Sequence, residues 1–154
     1  MQLPPFQALV DRHREDVYRY LVVVAGPAEA EDAFQETWIA ALRAYPRLER
    51  ADNLRAWLLR IAHNKAMDAH RARARRPLPV GEPPEASTAA VRDGAPELLQ
   101  SVRTLPPKQR TAVFCRSLLG MPYAELALLL DCSQDAARRS VHEGLKRLRE
   151  EVQR

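Results

Sequence analysis

Cysteine is scarce in this chain. Cys115 and Cys132 are the only two among 154 residues, and neither belongs to a CxxC pair. That excludes a disulfide framework and a cysteine-based zinc site, and two free thiols fit a reducing compartment. The four histidines, His13, His63, His70 and His142, have no metal-ligand spacing. The opening Met1-Gln2-Leu3-Pro4-Pro5 lacks the basic region and apolar run of a signal peptide. An apolar run such as Leu21–Ala25 is far too short to span a bilayer. Strand-like alternation, internal repeats and low-complexity blocks are also missing. These absences predict a cytoplasmic, all-α protein with no cofactor.

What is present is helix-forming and mildly basic. Apolar residues make up 46% of the chain and charged residues 29%, so a core is possible and global disorder is not expected. The net charge is +4, compatible with phosphate contact but short of a polycationic tail. Pro4-Pro5 opens a first helix with apolar Phe6, Leu9, Val10, Val17, Leu21 and Val24, and Gly26-Pro27 ends it. A second helix, Ala28 to Ala44, is expected to bury Ala33, Phe34, Trp38, Ala41 and Leu42 before Pro46 stops it. Asp52 or Asn53 caps a third helix from Leu54 to about Arg75, with Leu54, Trp57, Leu58 and Ile61 as its apolar stripe.

The texture then changes. Pro77 to Ala95 holds Pro77, Pro79, Pro83 and Pro84 among small residues, and reads as an extended tether. The chain therefore divides into a module at 1–76, a linker at 77–95 and a module at 96–154. The modules hold 13 basic against 10 acidic and 10 basic against 7 acidic residues, whereas the linker sets Glu82, Glu85 and Asp93 against Arg92. A module of this size buries only about 60% of its unfolded surface, so docking onto a larger partner would help it.

The second module carries the strongest motif. One short helix ends before Pro106-Pro107, another runs from Lys108 to Leu119 up to Gly120, and a third starts at Pro122 and reaches Leu130. A tight turn, Asp131-Cys132-Ser133, leads into a long helix to about Glu151, with Ser133 as its N-cap. Ala137, Val141, Leu145 and Leu148 form its apolar back. Asp135, Arg138, Arg139, His142, Lys146 and Arg149 cluster within about a third of a turn on the front. An apolar back with an Arg/Lys front suits a DNA major groove, where arginine bonds guanine edges or grips phosphates. The plainer reading of that front is a solvated charged face.

In the first module, Arg60, Asn64, Arg71 and Arg75 fall on one stripe of the third helix, with Lys65 nearby. Such a stripe can hold a phosphate backbone, and Trp57 beside it is either a base-stacking platform or core. The second helix is acidic, through Glu29, Glu31, Asp32 and Glu36. It reads as a partner-docking face, a solvated face, or the carboxylates of a metal-dependent hydrolase. No ExxH spacing supports the last.

These segments resemble the sigma-70 RNA polymerase sigma factors in their short extracytoplasmic-function form. The resemblance rests on Ala30-Glu31-Asp32-Ala33-Phe34-Gln35-Glu36-Thr37-Trp38, on Arg55-Ala56-Trp57-Leu58-Leu59-Arg60-Ile61-Ala62-His63-Asn64 continuing to Asp68 and Arg71, and on Leu105-Pro106-Pro107-Lys108-Gln109-Arg110 followed by Tyr123-Ala124-Glu125-Leu126-Ala127. It implies a non-enzymatic initiation factor that binds core RNA polymerase through Glu31, Asp32, Gln35, Glu36 and Trp38. Promoter DNA would meet Arg60, Asn64, Lys65, Asp68, Arg71 and Arg75 at the −10 element, with a flipped base held by the loop Arg47–Asn53. The −35 element would meet Gln134, Asp135, Arg138, Arg139, His142 and Lys146. Many relatives are held by an anti-sigma factor, which makes one a candidate partner. Two departures stand out: Asp131 replaces the family's usual turn glycine, and Asp135-Ala136-Ala137-Arg138-Arg139-Ser140 replaces its usual recognition-helix signature. The alternative is a freestanding helix-turn-helix regulator that never touches polymerase, which leaves the acidic helix and the Arg/Asn stripe without a purpose.

Overall fold

The computed structural model describes residues 3–50, 52–75 and 96–153, all of whose regular elements are helical. They form two compact units, α1–α3 and α4–α7, and the linker expected at 77–95 lies outside the described residues.

In the first unit, α1 (Phe6–Ala25) starts where Pro5, in an extended conformation, fixes the backbone just ahead of the helix. Gly26 ends α1 and begins α2 (Pro27–Ala44) in a single residue, at φ 92°, a conformation that glycine takes without steric cost. Pro27 then occupies the first turn of α2, where its missing N–H leaves no bond unmade. A 3-10 turn, Tyr45–Arg47, follows. For α3 (Leu54–Arg75), Asn53 is the cap: its Oδ1 accepts from the Ala56 N–H at 3.1 Å.

The three helices pack on one another around Val17, Tyr20, Leu21, Val23, Leu58, Leu59, Ala62 and Ala66. The side of α2 that faces this core is built of small residues, Ala30, Ala33, Thr37 and Ala41, which let the neighbouring helices approach closely. The buried Thr37 hydroxyl donates to the Ala33 carbonyl at 2.7 Å, so no polar atom is left stranded there. Several expectations fail, and Phe34 and Trp38, expected in the core, are only half-buried. Leu42 is 56% exposed because the core side of α2 is the alanine side, and Leu42 lies on the opposite one. On α3, Leu58 of the expected stripe is buried, but Leu54, Trp57 and Ile61 are only half-buried, and Leu59, Ala62 and Ala66 complete the core side.

In the second unit, α4 (Pro96–Arg103) and α5 (Pro107–Val113) are followed by a π-helical turn, Phe114–Leu118. The single helix expected from Lys108 to Leu119 thus widens at its end, where Leu119 N–H reaches Phe114 O at 3.2 Å. Gly120, at φ 66°, then turns the chain into α6 (Tyr123–Leu130). Asp131 sits in the left-handed region (φ 54°, ψ 53°), and Ser133 Oγ accepts from Ala136 N–H at 3.1 Å to open α7 (Gln134–Val152). α7 packs on α5 and α6 through Ala137, Val141 and Gly144, with Leu145 and Leu148 half-buried. Gly144 was absent from the expected stripe: a Cβ there would lie 2.5 Å from Val113 Cγ2, so glycine is what lets α5 and α7 come together.

Candidate nucleic-acid interface

The α6–turn–α7 arrangement presents one face of α7 to solvent. Gln134, Asp135, Arg138, Arg139, His142 and Lys146 are all exposed along it, and the buried residues lie behind. The turn that sets the angle between the helices depends on Asp131. Its left-handed backbone lets Cys132 N–H reach back to Ala127 O at 3.0 Å, which satisfies a carbonyl at the end of α6. A short polar side chain tolerates this conformation better than most. The front of α7 is therefore a basic, solvent-facing strip on a fixed scaffold, the geometry needed to enter a groove.

Two residues to which sequence reasoning gave no individual role stand beside this strip. The Arg138 guanidinium lies 5.0 Å from the centroid of the Tyr123 ring, and that of Arg116 lies 4.2 Å from the same centroid. Arg116 is also tied to the Met121 carbonyl at 3.1 Å. No sequence periodicity could have joined them, because they come from the π turn, the start of α6 and α7.

On α3, Arg60, Asn64, Asp68, Arg71 and Arg75 are exposed and share one side, whereas Lys65 is half-buried and sits roughly 140° round from Arg60. Asp68 and Arg71 approach to 3.7 Å as an exposed pair. Midway along this helix the Tyr20 hydroxyl and His63 Nδ1 are 2.6 Å apart. Burial, helped by the charge of Arg60, lowers the His63 pKa below its ordinary value. His70 meets the Val24 carbonyl at 2.9 Å. Trp57 is half-buried with its ring 6.2 Å from Tyr45, which favours a packing role for it. Before α3, a cleft of about 410 Å³ is lined by Arg12, His13, Asp16, Asp52, Asn53, Leu54 and Arg55.

On α2, Glu31, Asp32, Gln35 and Glu36 are exposed, and Ile39 and Leu42 continue the same side toward the C-terminal end, 51% and 56% exposed. The surface is acidic at one end and aliphatic at the other. Trp38 instead lies half-buried, edge-on to Phe6 at 6.1 Å and to Phe34 at 6.0 Å, with its Nε1 buried and unpartnered. Glu29 turns toward α3 and meets Arg73 at 3.5 Å. The carboxylates of α2 do not converge, and among the described residues no three His, Cys, Asp or Glu side chains lie close enough to share a metal ion. No helix among the described residues is long and apolar enough to cross a membrane.

Two units whose described residues form only helices, one with an exposed Arg/Asn helix and an acidic helix and one with a helix-turn-helix, define the class of a two-module DNA-binding transcription factor. Residues 9–76 match the family Sigma-70 region 2, and residues 96–148 match Sigma-70, region 4. The chain is 30% identical over 155 residues to the RNA polymerase sigma factor CarQ of Myxococcus xanthus, covering 94% of this chain and 87% of that one. It is 32% identical over 157 residues to the ECF RNA polymerase sigma factor SigD of Mycobacterium tuberculosis, covering 90% and 73%. Among solved structures, the sigma factor RpoE in complex with the anti-sigma factor NepR from Bartonella quintana shares the fold, with a TM-score of 0.79 at 19% identity over 98% of both chains. CnrH in complex with the cytosolic domain of CnrY does so with a TM-score of 0.69 at 22% identity, covering 96% of this chain and 87% of that one. The chain belongs to the sigma-70 family, among its extracytoplasmic-function (ECF) sigma factors.

Proposed function

We propose that the chain binds core RNA polymerase with residues 1–76 and directs it to promoters by gripping DNA with both modules, 1–76 at the −10 element and 96–154 at the −35 element, across the linker at 77–95. The observation that carries this reading is the α7 strip: Arg138, Arg139, His142 and Lys146 all face solvent in front of a packed apolar back. The exposed Arg60, Asn64, Asp68, Arg71 and Arg75 would follow the −10 strand. Lys65, set round the helix from them, would reach only its edge.

The α2 surface supports polymerase docking. Its carboxylates suit a basic partner, and Ile39 and Leu42 give it an apolar end that a solvated face would not need. Trp38 contributes by bracing α2 against Phe6 of α1, with Phe34 one turn earlier on α2 edge-on beside it. The freestanding-regulator reading accounts for α6 and α7 alone. One protein of this fold, RpoE, is described in complex with an anti-sigma factor, so a protein antagonist is part of the proposal, as is residence in the cytoplasm with polymerase.

The test is reconstitution. Wild-type chain should co-purify with core polymerase and support promoter-dependent transcription. Reversing both Asp32 and Glu36 to lysine should abolish both activities while circular dichroism shows unchanged helix content. Wild-type chain that fails to bind core polymerase would remove the initiation reading.

A further inference from the structure

The Tyr123 ring has a guanidinium on it from each of two elements, and this arrangement carries a role that the helix-turn-helix pattern does not assign. Tyr123 is the first residue of α6 and is half-exposed beside the DNA-facing strip. Arg138, at 5.0 Å, comes from the first turns of α7, and Arg116, at 4.2 Å, from the π turn. Both distances fall within the roughly 6 Å over which a cation is attracted by a ring face. Arg116 cannot wander, because its Nη1 is bonded to the Met121 carbonyl, two residues before Tyr123. The ion pairs Glu15–Arg19, Asp68–Arg71 and Glu29–Arg73 involve neither arginine.

We infer that Tyr123 is a positioning residue for promoter recognition: it holds the Arg138 side chain in the conformation in which it meets DNA. An exposed arginine loses much of its rotamer freedom when it is fixed on a base or phosphate. A ring that already restricts the guanidinium removes part of that cost before binding, which is how preorganisation raises affinity. The ring face is the suitable restraint because it leaves the N–H edges of the guanidinium free for guanine or phosphate oxygens. A carboxylate partner would occupy those same edges. The inference rests on the promoter-binding reading of α7, and it makes recognition depend on α6 as well as on the recognition helix.

The experiment is a double-mutant cycle in reconstituted holoenzyme. The probes are the genomic fragments most enriched when DNA is selected by wild-type holoenzyme, each with copies carrying single substitutions in the −35 element. Tyr123→Leu should weaken binding to the selected fragments about 3- to 10-fold, whereas Tyr123→Phe, which keeps the ring, should stay within about 2-fold of wild type. In an Arg138→Ala background, Tyr123→Leu should have almost no further effect, and it should flatten discrimination at the same −35 position that Arg138→Ala flattens. Equal losses for Tyr123→Leu with and without Arg138 would overturn the inference and mark Tyr123 as a purely structural residue, as would a loss in Tyr123→Phe as large as in Tyr123→Leu. Should wild-type holoenzyme form but select no DNA, the promoter reading itself fails and the inference falls with it.

Discussion

Replacing Gly144 by alanine sets two opposite effects against each other, and the structure decides between them. In an exposed helix interior the change would stabilise by about 1 kcal/mol, because alanine loses less backbone freedom on folding. At this position the new Cβ would meet Val113 Cγ2 at 2.5 Å, with Gln109 Cβ at 3.4 Å and the Gln109 carbonyl at 3.5 Å behind it. Val113 is buried, and its branched side chain has few rotamers open to it on a helix, so the contact is not relieved by swinging a flexible tip away. Overpacking of this kind costs about 1–3 kcal/mol. A clash this short against a stiff neighbour belongs near the upper end, so the net expectation is a loss of about 1–2 kcal/mol. Native-state hydrogen exchange reads this locally: amides of α5 and α7 should exchange about 5- to 30-fold faster, while those of α3, in the other unit, stay unchanged. Adding Val113→Ala should recover part of the loss, since it removes the methyl that the new Cβ strikes. Greater protection in Gly144→Ala than in wild type would show that helix propensity outweighs the contact and would refute the close-approach argument.

Protonation of His63 should weaken the first unit. Its folded pKa is lowered, first by burial and then by Arg60, so the stability that it supports is complete above its ordinary value of 6.5 and is lost as pH falls through the folded value. Thermal denaturation between pH 7.5 and 5 should therefore show a shallower acid loss in His63→Gln than in wild type, with the residual slope reflecting His13, which is also lowered by burial and by Arg12 and Arg55. Equal slopes would contradict the assignment. At the turn, Asp131→Gly should be neutral or stabilise by up to about 1 kcal/mol, because it relieves the left-handed strain at a small entropic cost, whereas Asp131→Val should destabilise by about 1–2 kcal/mol. Denaturant midpoints of the two variants that move in the same direction would argue against a left-handed Asp131.

Much of the architecture could be read from local signals that act within a few residues. Prolines at 5, 27, 107 and 122, the Gly26 junction and the Asn53 and Ser133 caps mark helix boundaries through bonds made or forbidden on the spot, and those boundaries match the observed helices closely. The exposed residues of the α7 strip were also readable, because one helix determines which of its own residues share a side. What escaped depends on a second element. Gly144 offers no apolar side chain to count, yet it is the point where α5 touches α7. The π turn at Phe114–Leu118 widens a helix by one residue and leaves no compositional mark. The Arg116–Tyr123–Arg138 group joins three elements that no periodicity connects.

The misplacement of Leu42 has a different cause and bears on function. Hydrophobic periodicity finds the residues that a helix needs to remove from water, but not which surface removes them. On α2 the internal core is lined by Ala30, Ala33, Thr37 and Ala41, and the larger Ile39 and Leu42 point outward beside Gln35 and Asp32. Small residues face inward because α1 and α3 come close to α2, so this helix cannot place large side chains on that side. Ile39 and Leu42 are already about half covered, so burying the rest would release roughly 0.8–1.7 kcal/mol each if the partner surface covered them fully. That stabilisation is available only in a complex, while the neighbouring carboxylates favour a basic partner. Truncating Ile39 and Leu42 to alanine should therefore leave the fold intact and weaken polymerase binding. That outcome would mark the pair as part of the docking surface, whereas unchanged binding with lowered stability would return them to the internal core.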